Sequence, residues 1–183
     1  MFCEKPDGFS LSVLLDYIAD FMILTIIAAL DRRRAIGYEN RLLFRLPDDL
    51  KRFKALTSGH TVLMGRNTYD SLPKGALPNR RNIVLSRTVD SLPGCEVFPT
   101  LQAALQTCAT DEQVFAIGGA AVYRDVLPFA DRLSLTLVDA EAPAADTFFP
   151  EWDNGDWTLV HEEYHSADDT HMQSFKFADY QRC

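Results

Sequence analysis

The chain has 183 residues, 47% of them apolar and 24% charged, and carries a formal net charge of −8. That size and balance describe one globular domain whose core is large enough to need no staples. The acidic excess, with no basic stripe interleaved with aromatics, excludes a general nucleic-acid binder, and an anionic ligand would have to be drawn in by local arginines.

Residues 1–21 stand outside the pattern of the rest, with a helical turn or two expected over 11–21. Residues 21–30 (FMILTIIAAL) form an apolar run followed by Asp31-Arg32-Arg33-Arg34. A membrane span needs about 20 apolar residues, and extending the run backward meets Asp20 and Asp16. A signal peptide would want basic residues ahead of the run, where Glu4, Asp7, Asp16 and Asp20 stand instead. A short strand buried on both faces fits better. Met22 is a natural start, so the reading is an extension over 1–21 and one domain over 22–183.

Strand patterns follow at 23–30, 61–64, 82–86, 96–98, 113–117 and 132–138, and a terminal antiparallel pair at 157–164 and 172–180. Helix patterns lie between them at 47–57, 66–72, 101–108 and 120–127. This alternation predicts an α/β fold: one mostly parallel central sheet of about eight strands, an antiparallel C-terminal strand and flanking helices. Cys3, Cys95, Cys108 and Cys183 are scattered without a CxxC pair, as in a reduced cytoplasmic protein. His161, His165 and His171 fall in the polar C-terminal stretch read as strands, where solvent-exposed positions are expected rather than a metal site.

The helix at 47–57 opens with proline and two acids, Pro47-Asp48-Asp49. Helical spacing aligns Asp49 with Leu46, Phe53 and Leu56, at the edge of an apolar wall. Asp48 falls with Lys51, Arg52 and Ala55 on a face expected to meet water. Acids in a first turn also simply favour the helix dipole, so position alone leaves two readings of Asp49. Three strand ends carry further chemistry, at the side of a parallel sheet where ligands bind. Met64-Gly65-Arg66-Asn67-Thr68 and Ile117-Gly118-Gly119-Ala120-Ala121-Val122-Tyr123 put glycines before helices, where backbone N–H groups attract phosphate. Leu85-Ser86-Arg87 offers a hydroxyl and a guanidinium to a ribose phosphate. Each is also compatible with an ordinary tight turn, and none is a G-x-G-x-x-G or Walker motif.

Together with Ile27-Ala28-Ala29, Ile36-Gly37-Tyr38-Glu39-Asn40, Leu77-Pro78-Asn79-Arg80-Arg81-Asn82 and Asp146-Thr147-Phe148-Phe149-Pro150, these segments resemble bacterial-type dihydrofolate reductases in order and spacing over 22–183. The resemblance implies hydride transfer from NADPH to C6 of 7,8-dihydrofolate with protonation at N5, serving one-carbon metabolism. It implies that Asp49 accepts hydrogen bonds from the pterin, with Thr136 bridging the two. Ile27, Leu50, Phe53, Leu72, Leu77 and Ile117 would line the slot, a role compatible with plain core packing. Arg80, helped by Lys54, would bind the glutamate tail. For the cofactor, Ala29, Ile36 and Gly37 would meet the nicotinamide, and Gly65, Arg66, Asn67 and Thr68 the pyrophosphate and adenosine side. Gly118, Gly119, Ala120, Ala121, Val122 and Tyr123 would form a second phosphate cradle. Ser86 and Arg87, with Arg66, would meet a 2′-phosphate. Asp146 and Thr147 would help hold a mobile loop over 35–45.

That loop departs from the family pattern: Leu43 and Phe44 stand where proline and tryptophan are usual, and Leu42 takes the gating apolar position. Phe44 lacks an indole N–H that would help hold a water near the substrate, and Leu43 frees the backbone. Altered closure and protonation are the expectation. Ala120 replaces a frequent third glycine. The alternatives are a pyrimidine reductase of the riboflavin pathway, against which Pro47-Asp48-Asp49 and Arg80 argue, and a non-catalytic pterin- or nucleotide-binding module. A cytoplasmic monomer acting on a small molecule, with neither a membrane nor a nucleic-acid partner, completes the reading.

Overall fold

The computed structural model describes residues 22–109, 112–152 and 154–183; the helical turns expected over 11–21 lie outside them. Strand β1 (Ile23–Leu30) is buried on both faces along most of its length, which explains why it reads as an unbroken apolar run. Its even-numbered residues Leu24, Ile26, Ala28 and Leu30 join the main core with Leu63, Ile83, Leu133 and Leu135. Ile27 points the other way, into a second cluster with Val62, Met64, Val84 and Phe115. The two-residue period of a strand produces that division.

Around β1 the chain builds an eight-stranded sheet in the order β10-β11-β8-β1-β7-β4-β5-β6. Its further members are β4 (Thr61–Gly65), β5 (Arg81–Leu85), β6 (Glu96–Phe98), β7 (Gln113–Gly118), β8 (Arg132–Val138), β10 (Trp157–His165) and β11 (Phe175–Arg182). β11 runs antiparallel to both β8 and β10, and the other pairings are parallel. Helices α1 (Pro47–Thr57), α2 (Arg66–Ser71), α3 (Leu101–Leu105) and α4 (Ala120–Val126) connect the strands. The α/β class and the antiparallel C-terminal strand are as the sequence predicts. Among the described residues no helix is long and apolar enough to cross a membrane.

Four details differ from expectation. A small second sheet of β2 (Ala35–Tyr38), β3 (Arg41–Leu42) and β9 (Thr147–Phe148) was not foreseen. Its strands are too short for a two-residue period to register. Glu39 and Asn40 join β2 to β3 with φ of 47° and 59°, the left-handed pair of a tight hairpin turn. Helix α3 stops at Leu105, and Thr107 and Cys108 continue through i→i+3 bonds to Ala104 and Leu105. β11 begins only at Phe175, and His171, in the turn before it, is 3% exposed rather than solvated. Arg52, placed by helical spacing on the water face, instead packs between α1 and β11.

Candidate active site

Helix α1 begins at Pro47 and carries Asp48 and Asp49 in its first turn. Leu46, just ahead of it, is buried with Val138, Phe175 and Phe177, which pins the helix start to the face shared by β8 and β11. On that face β8 alternates against the rule for a core strand: Ser134 and Thr136 are polar yet 6% and 1% exposed. Each has a partner that explains it. Thr136 Oγ1 donates to Asp49 Oδ1 at 2.5 Å. Ser134 Oγ donates to Asp179 Oδ1 at 2.7 Å, and the same oxygen accepts from Arg52 Nη2 at 2.5 Å. The Arg52 guanidinium also lies 4.6 Å from the centroid of the Phe177 ring. Asp49 and Arg52, three residues apart, therefore share the inward face of α1.

Burial pushes the Asp49 carboxyl above the ordinary carboxylate range; the Thr136 hydrogen bond and, after it, the charge of Arg52 oppose the rise. Asp48 behaves oppositely. Its Oδ1 accepts from Lys51 Nζ at 2.7 Å, and that bond holds its carboxyl below the usual range. Two adjacent acids thus differ because one faces the protein and the other a lysine.

The apolar side of the cleft is the second core cluster. Phe53, Leu72, Leu77 and Ile117 pack partly buried against Ile27 and its neighbours. Leu50 and Leu42 are exposed. Phe44 packs against the third cluster, beside Leu46, Val138, Phe175 and Phe177. Arg80 is half-buried: its Nη1 donates to Thr57 Oγ1 at 3.0 Å and its Nε to the Pro78 carbonyl at 3.0 Å. Its guanidinium stands 5.8 Å from the Phe53 ring, one turn along α1 from Asp49. Burial lowers its affinity for a proton, but a guanidinium stays charged. Lys54 is exposed.

Across β1 lie the glycine turns. Gly65 ends β4 and Gly118 ends β7, so both sit at the carboxyl edge of the sheet, and Thr136 is paired with Ala29 near the end of β1. The Gly118–Gly119 peptide is cis and Gly118 has φ of 122°. A Cβ on Gly118 would meet Tyr123 Oη at 3.2 Å and Thr68 Oγ1 at 3.4 Å; one on Gly65 would meet Val122 Cγ2 at 3.3 Å. Helices α2 and α4 start directly after Gly65 and Gly119 with no side-chain cap. Glycines that leave the backbone open to close approach, with Gly118 at a φ that side chains rarely adopt, next to uncapped backbone N–H groups, fit a ligand bearing a pyrophosphate. Ala121 is exposed and Ala120 half-buried, whereas Val122 and Tyr123 are 5% exposed members of the main core. Tyr123 Oη donates to the Ile27 carbonyl at 2.9 Å, so it braces the turn from behind.

Arg66 is held by Asp70, Nε to Oδ2 at 2.8 Å, and Arg87 is exposed. Ser86 Oγ accepts from the N–H groups of Thr88 and Val89. The loop over 35–45 is tied at two points. Asn40 Nδ2 donates to the Asn67 carbonyl at 2.9 Å, and Asp146 Oδ2 accepts from the Glu39 N–H at 2.9 Å while Thr147 Oγ1 donates to Asp146 Oδ1. Ile36 packs on the main core, and the N–H of Asp146 donates to the Gly37 carbonyl. A hollow lined by His60, Arg80, Arg81 and Glu112 lies at the opposite, amino ends of β4, β5 and β7, and Arg80 stands between it and the Phe53 side of the cleft.

Sequence reasoning did not find the Arg52–Asp179–Ser134 cluster. The signal was present in Ser134 and Thr136, two polar residues on one face of an otherwise apolar strand.

Comparison with known proteins gives a consistent result. The sequence profile described as dihydrofolate reductase matches residues 23–182. The chain is 40% identical over 161 residues to the dihydrofolate reductase of Bacillus subtilis (strain 168), covering 87% of this chain and 95% of that one. It is 40% identical over 162 residues to a dihydrofolate reductase type 3 of Salmonella typhimurium, covering 88% and 99%. Among solved structures, dihydrofolate reductase from Enterococcus faecalis complexed with NADP(H) and RAB-propyl superposes with a TM-score of 0.80 at 31% identity, covering 87% of this chain and 96% of that one.

Proposed function

Because the chain belongs to the dihydrofolate reductase family, it is an NADPH-dependent reductase of 7,8-dihydrofolate, and we propose that Asp49 is the acid that seats the pterin. One observation carries the assignment: a carboxylate facing inward from α1, hydrogen-bonded to the buried Thr136 hydroxyl, beside a wall formed by Ile27, Phe53 and Ile117. Ionised Asp49 accepts hydrogen bonds from the pterin ring N3–H and 2-amino group. Fixing that edge orients C6 and favours a proton at N5, which arrives through solvent. Bound NADPH supplies the hydride that C6 receives; with the N5 proton, the product is 5,6,7,8-tetrahydrofolate.

The glycine turns at Gly65 and Gly118–Gly119, with Thr68, hold the cofactor's phosphates. Arg66, Ser86 and Arg87 select for the 2′-phosphate, Arg66 turning from Asp70 to do so. Ala29, Ile36 and Gly37 meet the nicotinamide through their backbone. Arg80 takes the carboxylate of the glutamate tail, a two-pronged task that its anchoring by Thr57 prepares. Phe44, which lacks the usual indole N–H, leaves the water nearest the substrate less well held. In single-turnover hydride transfer Phe44→Trp therefore shifts the pH profile, and an unchanged profile refutes that role. The catalytic unit is 22–183, acting as a cytoplasmic monomer; a truncation beginning at Met22 should fold and turn over, and loss of either would give residues 1–21 a role.

The direct test follows NADPH loss at 340 nm with dihydrofolate, against NADH. Wild type turns over with preference for NADPH, and Asp49→Asn loses more than about a hundredfold in kcat, the scale of a lost acid–base or orienting group, while NADPH affinity holds. Full turnover by Asp49→Asn overturns the assignment.

A further inference from the structure

Helix α1 starts without the cap that its first turn ordinarily has. Its N-cap residue is Leu46, which makes no side-chain cap bond and whose side chain is buried among Val138, Phe175 and Phe177. Pro47 has no N–H to satisfy. The first N–H in need of a partner is that of Asp48, and it donates to Nε2 of His171, 123 residues away, at 3.3 Å.

His171 is built to accept that bond. It is 3% exposed and its ring lies 5.2 Å from that of the buried Phe175. Its Nδ1 stands 3.0 Å from Asp168 Oδ1. The same oxygen accepts the backbone N–H groups of Thr170 and His171 at 2.8 and 2.7 Å, which bring the Asp168 carboxyl down to about 2. An anion at Nδ1 makes that nitrogen the protonated one and leaves the Nε2 lone pair for the helix. A proton on Nε2 would turn acceptor into donor. Asp48 N–H would lose its partner, and the ring would bond instead to Asp48 Oδ2, now 3.7 Å away. The ionisable neighbours are Asp48 with its partner Lys51 on α1, Asp168 in the turn, and His165 at the end of β10 with Glu163 at 3.3 Å.

We propose that His171, in its neutral Nδ1–H form, is a positioning residue for Asp49: it caps α1 from the β10–β11 turn and holds the first helical turn, and so the Asp49 carboxylate, in register with Thr136. The inference rests on Asp49 as the pterin-binding acid. A helix tied in this way transmits the placement of a residue outside the cleft to the group inside it.

The test compares wild type with His171→Ala and His171→Gln, whose amide oxygen can occupy the place of Nε2. With NADPH and dihydrofolate at pH 8, His171→Ala loses up to about fivefold in kcat/KM for dihydrofolate, the factor reached when the whole stability of an ordinary cap bears on the placement of Asp49, while KM for NADPH stays within about twofold. His171→Gln recovers most of the loss. A folded His171→Gln no better than His171→Ala overturns the proposal. Imidazole 15N spectra of the wild-type enzyme need no variant: Nε2 unprotonated at pH 8 is the expected result, and an Nε2–H tautomer overturns it. Failure of the Asp49 reading is separately visible, as turnover by Asp49→Asn with the His171 tautomer as described.

Discussion

Replacing Thr136 by valine removes one hydrogen bond and little else, because the residue is 1% exposed and a methyl takes the place of the hydroxyl. The lost bond is the 2.5 Å contact to Asp49 Oδ1. A hydrogen bond to a charged group contributes about 1.5–3 kcal/mol, so the bond holds the Asp49 pKa below the level that burial alone would set. Water in the cleft can replace part of it, which favours the lower end of that range. The bond stabilises the ionised carboxylate against the desolvation that already raises its pKa; without it the pKa rises further. The acid limb of kcat/KM for dihydrofolate therefore moves to higher pH, with NADPH affinity unchanged. Steady-state rates from pH 5 to 9, with cofactor titration by fluorescence, read both quantities. An acid limb in the wild-type position would show that Thr136 does not act on Asp49, and the electrostatic argument would fall with it.

Asp49→Asn should stabilise the ligand-free enzyme. A carboxyl whose folded pKa lies above its unfolded one loses stability as pH rises from the unfolded value through the folded one, so the gain is full at pH 8 and absent near pH 3; it raises Tm, by roughly 2–4 °C for each ~1 kcal/mol, and equal melting curves at pH 8 would count against buried charge at this site. Arg80→Leu should raise KM for dihydrofolate roughly thirtyfold, the loss of about 2 kcal/mol of charged hydrogen bonding. It should leave a pterin without the glutamate tail unaffected, and equal losses for both would place Arg80 elsewhere. Gly118→Ala sets a Cβ against Tyr123 Oη at 3.2 Å, at a φ of 122°. Tyr123 cannot yield without releasing the Ile27 carbonyl. About 2 kcal/mol of strain should lower Tm by roughly 4–8 °C and weaken NADPH more than about tenfold; calorimetry and cofactor titration decide.

Most of the main sheet was legible in the chain itself, because a strand covered on both faces needs an unbroken apolar run and residues 23–30 supply one. The glycine turns, the Pro47 start of α1 and the inward lean of Asp49 were legible for a similar reason: each follows from local geometry over a few residues. What only the folded molecule decided concerns groups whose partners lie far along the chain. Helical spacing sent Arg52 to water, but β11 brings Asp179 and Phe177 over it. His171 read as a solvated residue until the β10–β11 turn carried it to the N–H of Asp48, and Thr136, which the family resemblance but no local pattern paired with Asp49, reaches it across 87 residues. Periodicity reports which side of an element a residue faces; it does not report what the rest of the chain places there, and a charge in a low-dielectric site takes its behaviour from that neighbour.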